Sequence, residues 1–520
     1  RDGVGEYDYV HNSAHVLSFW EQRVKEVAEL DNLYTLGMRG VHDGAMNGAK
    51  TIEEQKAVLT KVLKDQRDLL TKYVNKDVTQ VPQVFIPYKE VLDVYHAGLQ
   101  VPDEVTLMWC DDNYGYIRHF PTAEERARKG GNGVYYHVSY WGRPHDYLWL
   151  GTAHPSLVYQ QMSLACERGI QKMWILNVGD IKPAEYQVEL FLDMAWNLEA
   201  VKRQGVVAHQ RHFLEREFGK NRADRLQPVM QEAYRLAYIR KPEFMGNTRT
   251  EEKDPKFKVI SDLPWSEQEI NERLAAYRQL SDKVEQEWHA LPAQKKETYF
   301  QLVKYPVQAA AQMNNKLLTA QLARHGKADW ADSDRAYDSI VSLTKTYNTT
   351  KWNRMMDFQP RRLLVFNRVE RKALSSGLLE KPQAVYTWNG ADCVEGASVI
   401  CEGLGYEGKA VAVEKKKELT FEFAAWETDS VEVEVRLLPN HPVEGERLRF
   451  TISLDGSATE AVSYETKGRS EEWKENVLCN QAVRRMILPV ARKASHRLIF
   501  TALDEGVVLD QIYLYTPRIK

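Results

Sequence analysis

Five apolar segments within the first 180 residues each run into side chains capable of ionic or acid–base chemistry. Leu36-Gly37-Met38 leads to Arg39, His42 and Asp43; Val84-Phe85-Ile86 leads to Tyr88, Lys89 and Glu90. Leu107-Met108-Trp109-Cys110 ends at Asp111, Asp112 and Asn113, and the run from Val134 through His137 to Val138 ends at Ser139 and Tyr140. The fifth, Met173-Trp174-Ile175-Leu176, ends at Asn177 and Asp180. A pair of carboxylates with an arginine, asparagines and aromatics around it suits glycoside hydrolysis, which needs an acid and a base on either side of the scissile bond. Two other chemistries compete. His42, Asp43, His137 and the Asp111-Asp112 pair offer metal-ligand types, but no HxH or HExxH spacing accompanies them. A nucleophilic serine would call for a GxSxG elbow, and Ser139 stands without one. Asp111 or Asp112 also reads as a buried, satisfied carboxylate, Asp180 as a helix cap, and Trp109, Tyr135 and Trp174 as packing residues.

The elements that must position these groups are legible from periodicity. Helical spacing appears over about 14–30, after Thr51, and over about 183–200, where Asp180 and Pro183 read as cap and early helical proline. Near-continuous apolar strands alternating with helices predict a parallel sheet covered on both faces, with polar groups gathered at the strands' C-terminal ends. Five units are fewer than a closed eight-stranded barrel needs. Residues 1–200 therefore read as the later part of a (β/α)8-type catalytic barrel whose first strands lie upstream of Arg1, an open doubly wound sheet being the alternative. Residues 201–365 keep a helical period, with a capping box at Ser266 to Glu269 and helices over about 294–324 and 333–347, as in a helical bundle. From 366 to 520 the period becomes two, as in Val431-Glu432-Val433-Glu434-Val435, and Asp455-Gly456 is a hairpin-type turn. About ten such strands predict a jelly-roll-like β-sandwich. The fold class is thus α/β plus all-α plus all-β.

Composition narrows the function. The 520 residues carry a net charge of −3, with no basic field for nucleic acid. No apolar run reaches the roughly 18 residues of a membrane span. The 5 cysteines form neither a disulfide framework nor a CxxC metal site, so no cofactor is expected. The start, Arg1-Asp2-Gly3-Val4-Gly5, has neither an initiator Met nor a signal-peptide pattern.

The motifs Gly37-Met38-Arg39-Gly40-Val41-His42-Asp43-Gly44, Pro87-Tyr88-Lys89-Glu90, Met108-Trp109-Cys110-Asp111-Asp112-Asn113-Tyr114-Gly115, His137-Val138-Ser139-Tyr140-Trp141-Gly142 and Leu176-Asn177-Val178-Gly179-Asp180 closely resemble glycoside hydrolase family 115. These are α-glucuronidases that remove glucuronic acid, often 4-O-methylated, from xylan side chains. The resemblance implies an inverting, exo-acting hydrolase with no cofactor, whose upstream domain and first barrel strands this chain lacks. It implies Glu90 as the general acid, in a partly apolar setting that favours the protonated form. Asp43 is implied as the base that activates water or helps to orient it. Arg39 would pair with the uronate carboxylate, where a planar guanidinium offers two-point geometry. Tyr88, Asn113, His137, Tyr140 and Asn177 would line the sugar. Implied partners are a glucuronic-acid-decorated polysaccharide and a second copy of the chain in a homodimer, with no nucleic acid and no membrane. The substrate class suggests a periplasmic or secreted bacterial enzyme. Arabinogalactan or another uronate-bearing glycan is the alternative substrate, and a non-catalytic carbohydrate binder the alternative function.

Overall fold

The computed structural model describes residues 5–41, 44–372, 377–396, 399–492 and 494–517. Its contacts divide the chain into two compact units. One holds residues 1–112, 117–136 and 164–175; the other holds 113–116, 137–163 and 176–520.

The first unit is built on a five-stranded sheet, in sequence order, of β1 (Tyr34–Leu36), β2 (Gln83–Phe85), β3 (Thr106–Cys110), β4 (Asn132–His137) and β5 (Ile170–Asn177). The pairings β1·β2, β2·β3 and β3·β4 are all parallel. Their C-terminal ends therefore face one edge, as the sequence pattern requires. Helices α1 (Ser13–Val27), α2 (Ile52–Tyr73), α3 (Glu90–His96), α4 (Ala123–Arg126) and α5 (Pro155–Glu167) lie between and before the strands. α2 starts where Thr51 predicts. The Thr51 hydroxyl accepts from the Glu54 amide at 3.2 Å, and the Glu54 carboxylate accepts from the Thr51 amide at 3.0 Å. This box satisfies two of the amides a helix start leaves open. Leu59, Val62, Leu63, Leu69 and Leu70 then form its buried stripe.

Two expectations need correction here. Burial on both faces holds for β2 and β3, but β1 and β5 border the sheet and are largely half-buried or exposed. Helix α6 (Glu185–Gln204) follows Ala184, so exposed Asp180 lies too far upstream to cap it.

The second unit continues with α7 (Val206–Phe218), α8 (Lys220–Ile239), α9 (Glu267–His289), α10 (Ala293–Tyr299), α11 (Tyr305–Arg324) and α12 (Trp330–Asn348). Ser266 and Glu269 form the expected capping box on α9. The single helix expected over 294–324 is α10 and α11 joined by one π-turn, Phe300–Lys304. Pro306 supplies the reason: it lacks an amide hydrogen, and its ring crowds the preceding turn.

The C-terminal region has β6 (Tyr386–Asn389), β7 (Val399–Ile400), β8 (Val411–Ala412), β9 (Glu418–Ala424), β10 (Ser430–Leu437) and β11 (Arg449–Leu454). There follow β12 (Ser457–Ala458), β13 (Val462–Ser463), helix α13 (Glu471–Cys479), β14 (Ala482–Pro489), β15 (Ser495–Ala502) and β16 (Val508–Tyr515). One sheet has the order β14-β10-β16-β8-β7 with β6 also on β16; the other has β12-β11-β15-β9 with β13 also on β11. Alternate residues meet in one core: Val431, Val433 and Val435 from β10, Leu419, Phe421 and Phe423 from β9, and Leu498 and Phe500 from β15. Asp455-Gly456 is the two-residue hairpin turn between β11 and β12, with φ of 52° and 92°, as a turn of this kind demands.

Candidate active site

In the first unit, β1 delivers Arg39 through a fixed exit. Gln66 of α2 clamps both sides of Gly37, accepting from its amide at 2.8 Å and donating to its carbonyl at 3.1 Å. Gly37 has φ 102°, and a Cβ there would lie 3.2 Å from the Phe85 ring. The chain then turns through Gly40, whose amide donates to the Gly44 carbonyl at 2.9 Å. A Cβ on Gly40 would fall 2.0 Å from the Ala45 carbonyl, so no other residue fits. His42 and Asp43 lie outside the described residues.

Glu90 arrives from β2 as the first residue of α3. The residue before it, Lys89, is held at φ 52° and ψ −121°, a conformation unfavourable to a residue with a Cβ. Arg39 and Glu90, which the sequence reading assigned to separate ligands, meet each other. Arg39 Nε and Nη2 each donate at 3.0 Å to a different Glu90 oxygen, in fork-to-fork geometry. The Arg39 and Glu90 side chains are 15% and 22% exposed, so the pair is reachable from solvent. Tyr88 completes the group. The Arg39 guanidinium lies 5.0 Å and the Lys89 ammonium 4.7 Å from the centre of its ring.

At the end of β3, Asp111 and Asp112 are both buried. Asp111 is fixed by a bridge to Ile117, beside a backbone bond from the Arg118 amide to the Cys110 carbonyl. Burial pushes the Cys110 thiol and the Tyr136 hydroxyl well up, with Asp111 adding to both. Trp109 is a fully buried packing residue whose indole donates to Asn132 at 2.9 Å; Tyr135 and Trp174 are half-buried.

The second unit holds the remaining candidates. Asn113 has φ 73°, a left-handed conformation that Asn tolerates, and its carbonyl accepts from the Tyr147 hydroxyl at 2.6 Å. His137 and Tyr140 are buried, with rings edge to face at 5.8 Å. The Asn177 carbonyl accepts from the Val138 amide at 3.2 Å. Ser139 Oγ accepts from the Gly179 amide at 2.5 Å, tying together the segments that follow β4 and β5.

The sequence reading missed two ionic groups of this unit. Asp146 is buried, accepts from the Gly142 amide at 2.6 Å and pairs with Arg361. Burial pushes its carboxyl up to about 6 despite that arginine. Arg361 also lies 4.1 Å from the ring of Trp141, which is 62% exposed. Lys241 donates to the Thr152 carbonyl at 2.9 Å and stands over the Tyr147 ring, while Glu243 accepts from the Trp149 amide at 3.2 Å. Burial lowers Lys241 to about 8 and raises Glu243, each partly offset by the other's charge. Asp146 and Arg361 are 215 positions apart, beyond any local pattern. A carboxylate five residues after a tryptophan that precedes a glycine was the only signal available. Among the described residues, no group of three or more His, Cys, Asp or Glu side chains could hold a metal ion.

An arginine-clasped glutamate on the rim of a parallel sheet, with a helical region and an antiparallel sandwich later in the chain, is the layout of a multidomain glycosidase. Comparison with known proteins makes the class specific. The family model "Glycosyl hydrolase family 115" matches residues 1–244, and "Glycosyl hydrolase family 115 C-terminal domain" matches 397–520. The chain belongs to glycoside hydrolase family 115, the α-glucuronidase family.

A solved structure of a family GH115 4-O-methyl-α-glucuronidase, BtGH115A, described as specific for decorated arabinogalactans, is 68% identical with a TM-score of 0.97. The match covers 99% of this chain and 68% of that one. A family 35 carbohydrate-binding module from an environmental isolate matches at 11% identity and TM-score 0.21, over 26% of this chain and 99% of that one. The latter likeness is too slight to add to the assignment. No curated protein matches the chain.

Proposed function

We propose that the chain releases α-linked glucuronic acid or its 4-O-methyl ether from a glycan side chain with inversion, using Glu90 as general acid and Asp43 as base. The observation that carries this reading is the meeting of Arg39 and Glu90 at Tyr88, on the ends of adjacent parallel strands. A glutamate supplies the proton the leaving oxygen needs, and the guanidinium offers a uronate two parallel hydrogen bonds. Inversion calls for acid and base carboxyls roughly 6.5–9.5 Å apart, leaving room for a water. Asn113, His137, Tyr140 and Asn177 are assigned to the sugar's hydroxyls and carboxylate.

The relative that acts on decorated arabinogalactans favours arabinogalactan as the polymer, with glucuronoxylan the other substrate to compare. The same proposal includes a homodimer and an extracytoplasmic location. Product assays on both polymers decide the substrate, and NMR of the first-formed sugar decides the stereochemistry. Replacing Glu90 by Gln should cut release of the uronic acid at least about a hundredfold; near-normal turnover would remove Glu90 from the acid role. A monomer by light scattering at working concentration would remove the dimer.

A further inference from the structure

Arg39 and Glu90 as they stand are each occupied by the other. The guanidinium fork that would read a uronate is filled by Glu90, with both contacts at 3.0 Å. In this clasp both Glu90 oxygens are taken up by the guanidinium, so neither is offered to a leaving group. The roles assigned to the two residues thus conflict until something separates them. The pair is partly open to solvent and lies on irregular backbone after two strands, so the separation needs no rearrangement of a packed core.

We propose that the substrate's own carboxylate displaces Glu90 from Arg39, and that the displaced Glu90 takes up the proton it then delivers. The inference rests on the reading of Glu90 as acid and extends it. Once the uronate sits on Arg39, two carboxylates lie near one cation, and like charges this close favour protonation of one. The ionisable residues beside Glu90 in the chain are Lys89 before it and Asp93 on its own helix.

The cycle balances. Solvent protonates Glu90 on binding. The proton passes to the glycosidic oxygen as its bond to the anomeric carbon breaks, the electron pair staying on oxygen. Water adds to that carbon and loses a proton to the base, which returns it to solvent before the next turnover. Glu90, again a carboxylate, returns to Arg39 when the uronic acid leaves. Selectivity follows directly: a neutral glucoside of the same shape leaves Glu90 clasped by Arg39 and never loads it with a proton, so it is bound without being cleaved.

The test is calorimetric titration of the whole chain with free glucuronate near pH 6, in two buffers of different ionisation enthalpy. The expected result is uptake approaching one proton per bound glucuronate, none for glucose, and loss of the uptake in Glu90→Gln. Binding of glucuronate without buffer dependence, uptake that persists in Glu90→Gln, or absence of glucuronate binding each overturns the proposal. Turnover by Glu90→Gln of aryl α-glucuronides with good and poor leaving groups reads the acid role separately. Unchanged turnover of the poor leaving group would dismiss Glu90 as acid, while the proton count would still report the exchange.

Discussion

Two Arg–Glu groupings in this protein are built for different purposes. On the rim, Arg39 clasps Glu90 from the ends of two strands, across a lysine held at positive φ. In the sandwich, Glu434 sits on regular β10, its side chain 2% exposed, between two guanidinium groups. Arg436 Nε donates to one oxygen at 2.6 Å and Arg485 Nε to the other at 2.7 Å. Arg485 is its register partner on β14, and Arg436 lies two residues along the same face. These charges and bonds hold the Glu434 carboxyl below the usual range, overcoming its burial. Glu434 is saturated and locked into a ladder. Glu90 has a single described fork partner, and the pair is partly open to solvent. The same chemistry is a brace in one setting and an exchangeable contact in the other.

Substituting the two glutamates is the strongest way to break this contrast. Glu90→Gln should lower kcat/KM for glucuronide release by about 10²–10⁴ while shifting stability by less than about 1 kcal/mol. Glu434→Gln should do the reverse. It removes the buried carboxylate between two guanidinium groups, at a cost of about 3 kcal/mol, the low end for a buried pair because Arg485 is largely exposed and keeps Glu432 within 3.9 Å. Parallel denaturation curves and initial rates check both. A loss of activity in Glu434→Gln matching that in Glu90→Gln would erase the distinction.

The buried aspartates extend the comparison to pH. Asp146, among the segments after β4, and Asp510 on β16 are both pushed up to about 6 by burial. Their folded values exceed the ordinary 3.8 of an unfolded aspartate. The folded protein therefore binds more protons between these values, and stability falls as pH rises from about 4 to 6, then levels off. The loss is on the order of 2–3 kcal/mol for each group. Asp510→Asn should flatten its share of that slope and cost little at pH 7, because an amide oxygen can still accept from the Tyr406 amide, now at 3.0 Å. Asp146→Asn should flatten the slope equally but leave Arg361 without its charge partner. Urea denaturation across pH 4–7 separates them; equal stability of the two variants at pH 7 would show that Arg361 is indifferent to Asp146.

How much of this was legible in the sequence follows from the range of each interaction. The capping boxes at Thr51 and Ser266, the turn at Asp455-Gly456 and the period-two strands are local, and local spacing reveals them. The strand tips were found because five of them repeat one pattern. Arg39 and Glu90 were recognisable as chemical types, but their clasp joins residues 51 apart and depends on where β1 and β2 end. The Asp146–Arg361 pair had no local trace. The start of α6 was misjudged because Asp180 and Pro183 imitate a cap, whereas the helix begins only at Glu185.

The smallest effect tests backbone strain at the same two places. Lys89 and Asp455 share a φ of 52°, a conformation that costs a residue with a Cβ about 1 kcal/mol or more and that glycine adopts freely. In the sandwich the cost is offset: the Asp455 carboxylate faces His496 Nδ1 at 2.8 Å and accepts from the Arg497 amide at 3.2 Å. Asp455→Gly should therefore destabilise, since it removes both bonds along with the strain. On the rim, the Lys89 ammonium lies 4.7 Å from the centre of the Tyr88 ring, and its carbonyl accepts from the Leu92 amide at 3.2 Å. Lys89→Gly should relieve that backbone strain and lower turnover, because the freed backbone no longer holds Glu90 at the start of α3. Thermal denaturation and kcat measured on both variants check the pair. A Lys89→Gly variant that is less stable and equally active would show that the rim's strained backbone serves the fold, as the turn at Asp455 does, and has no part in placing the acid.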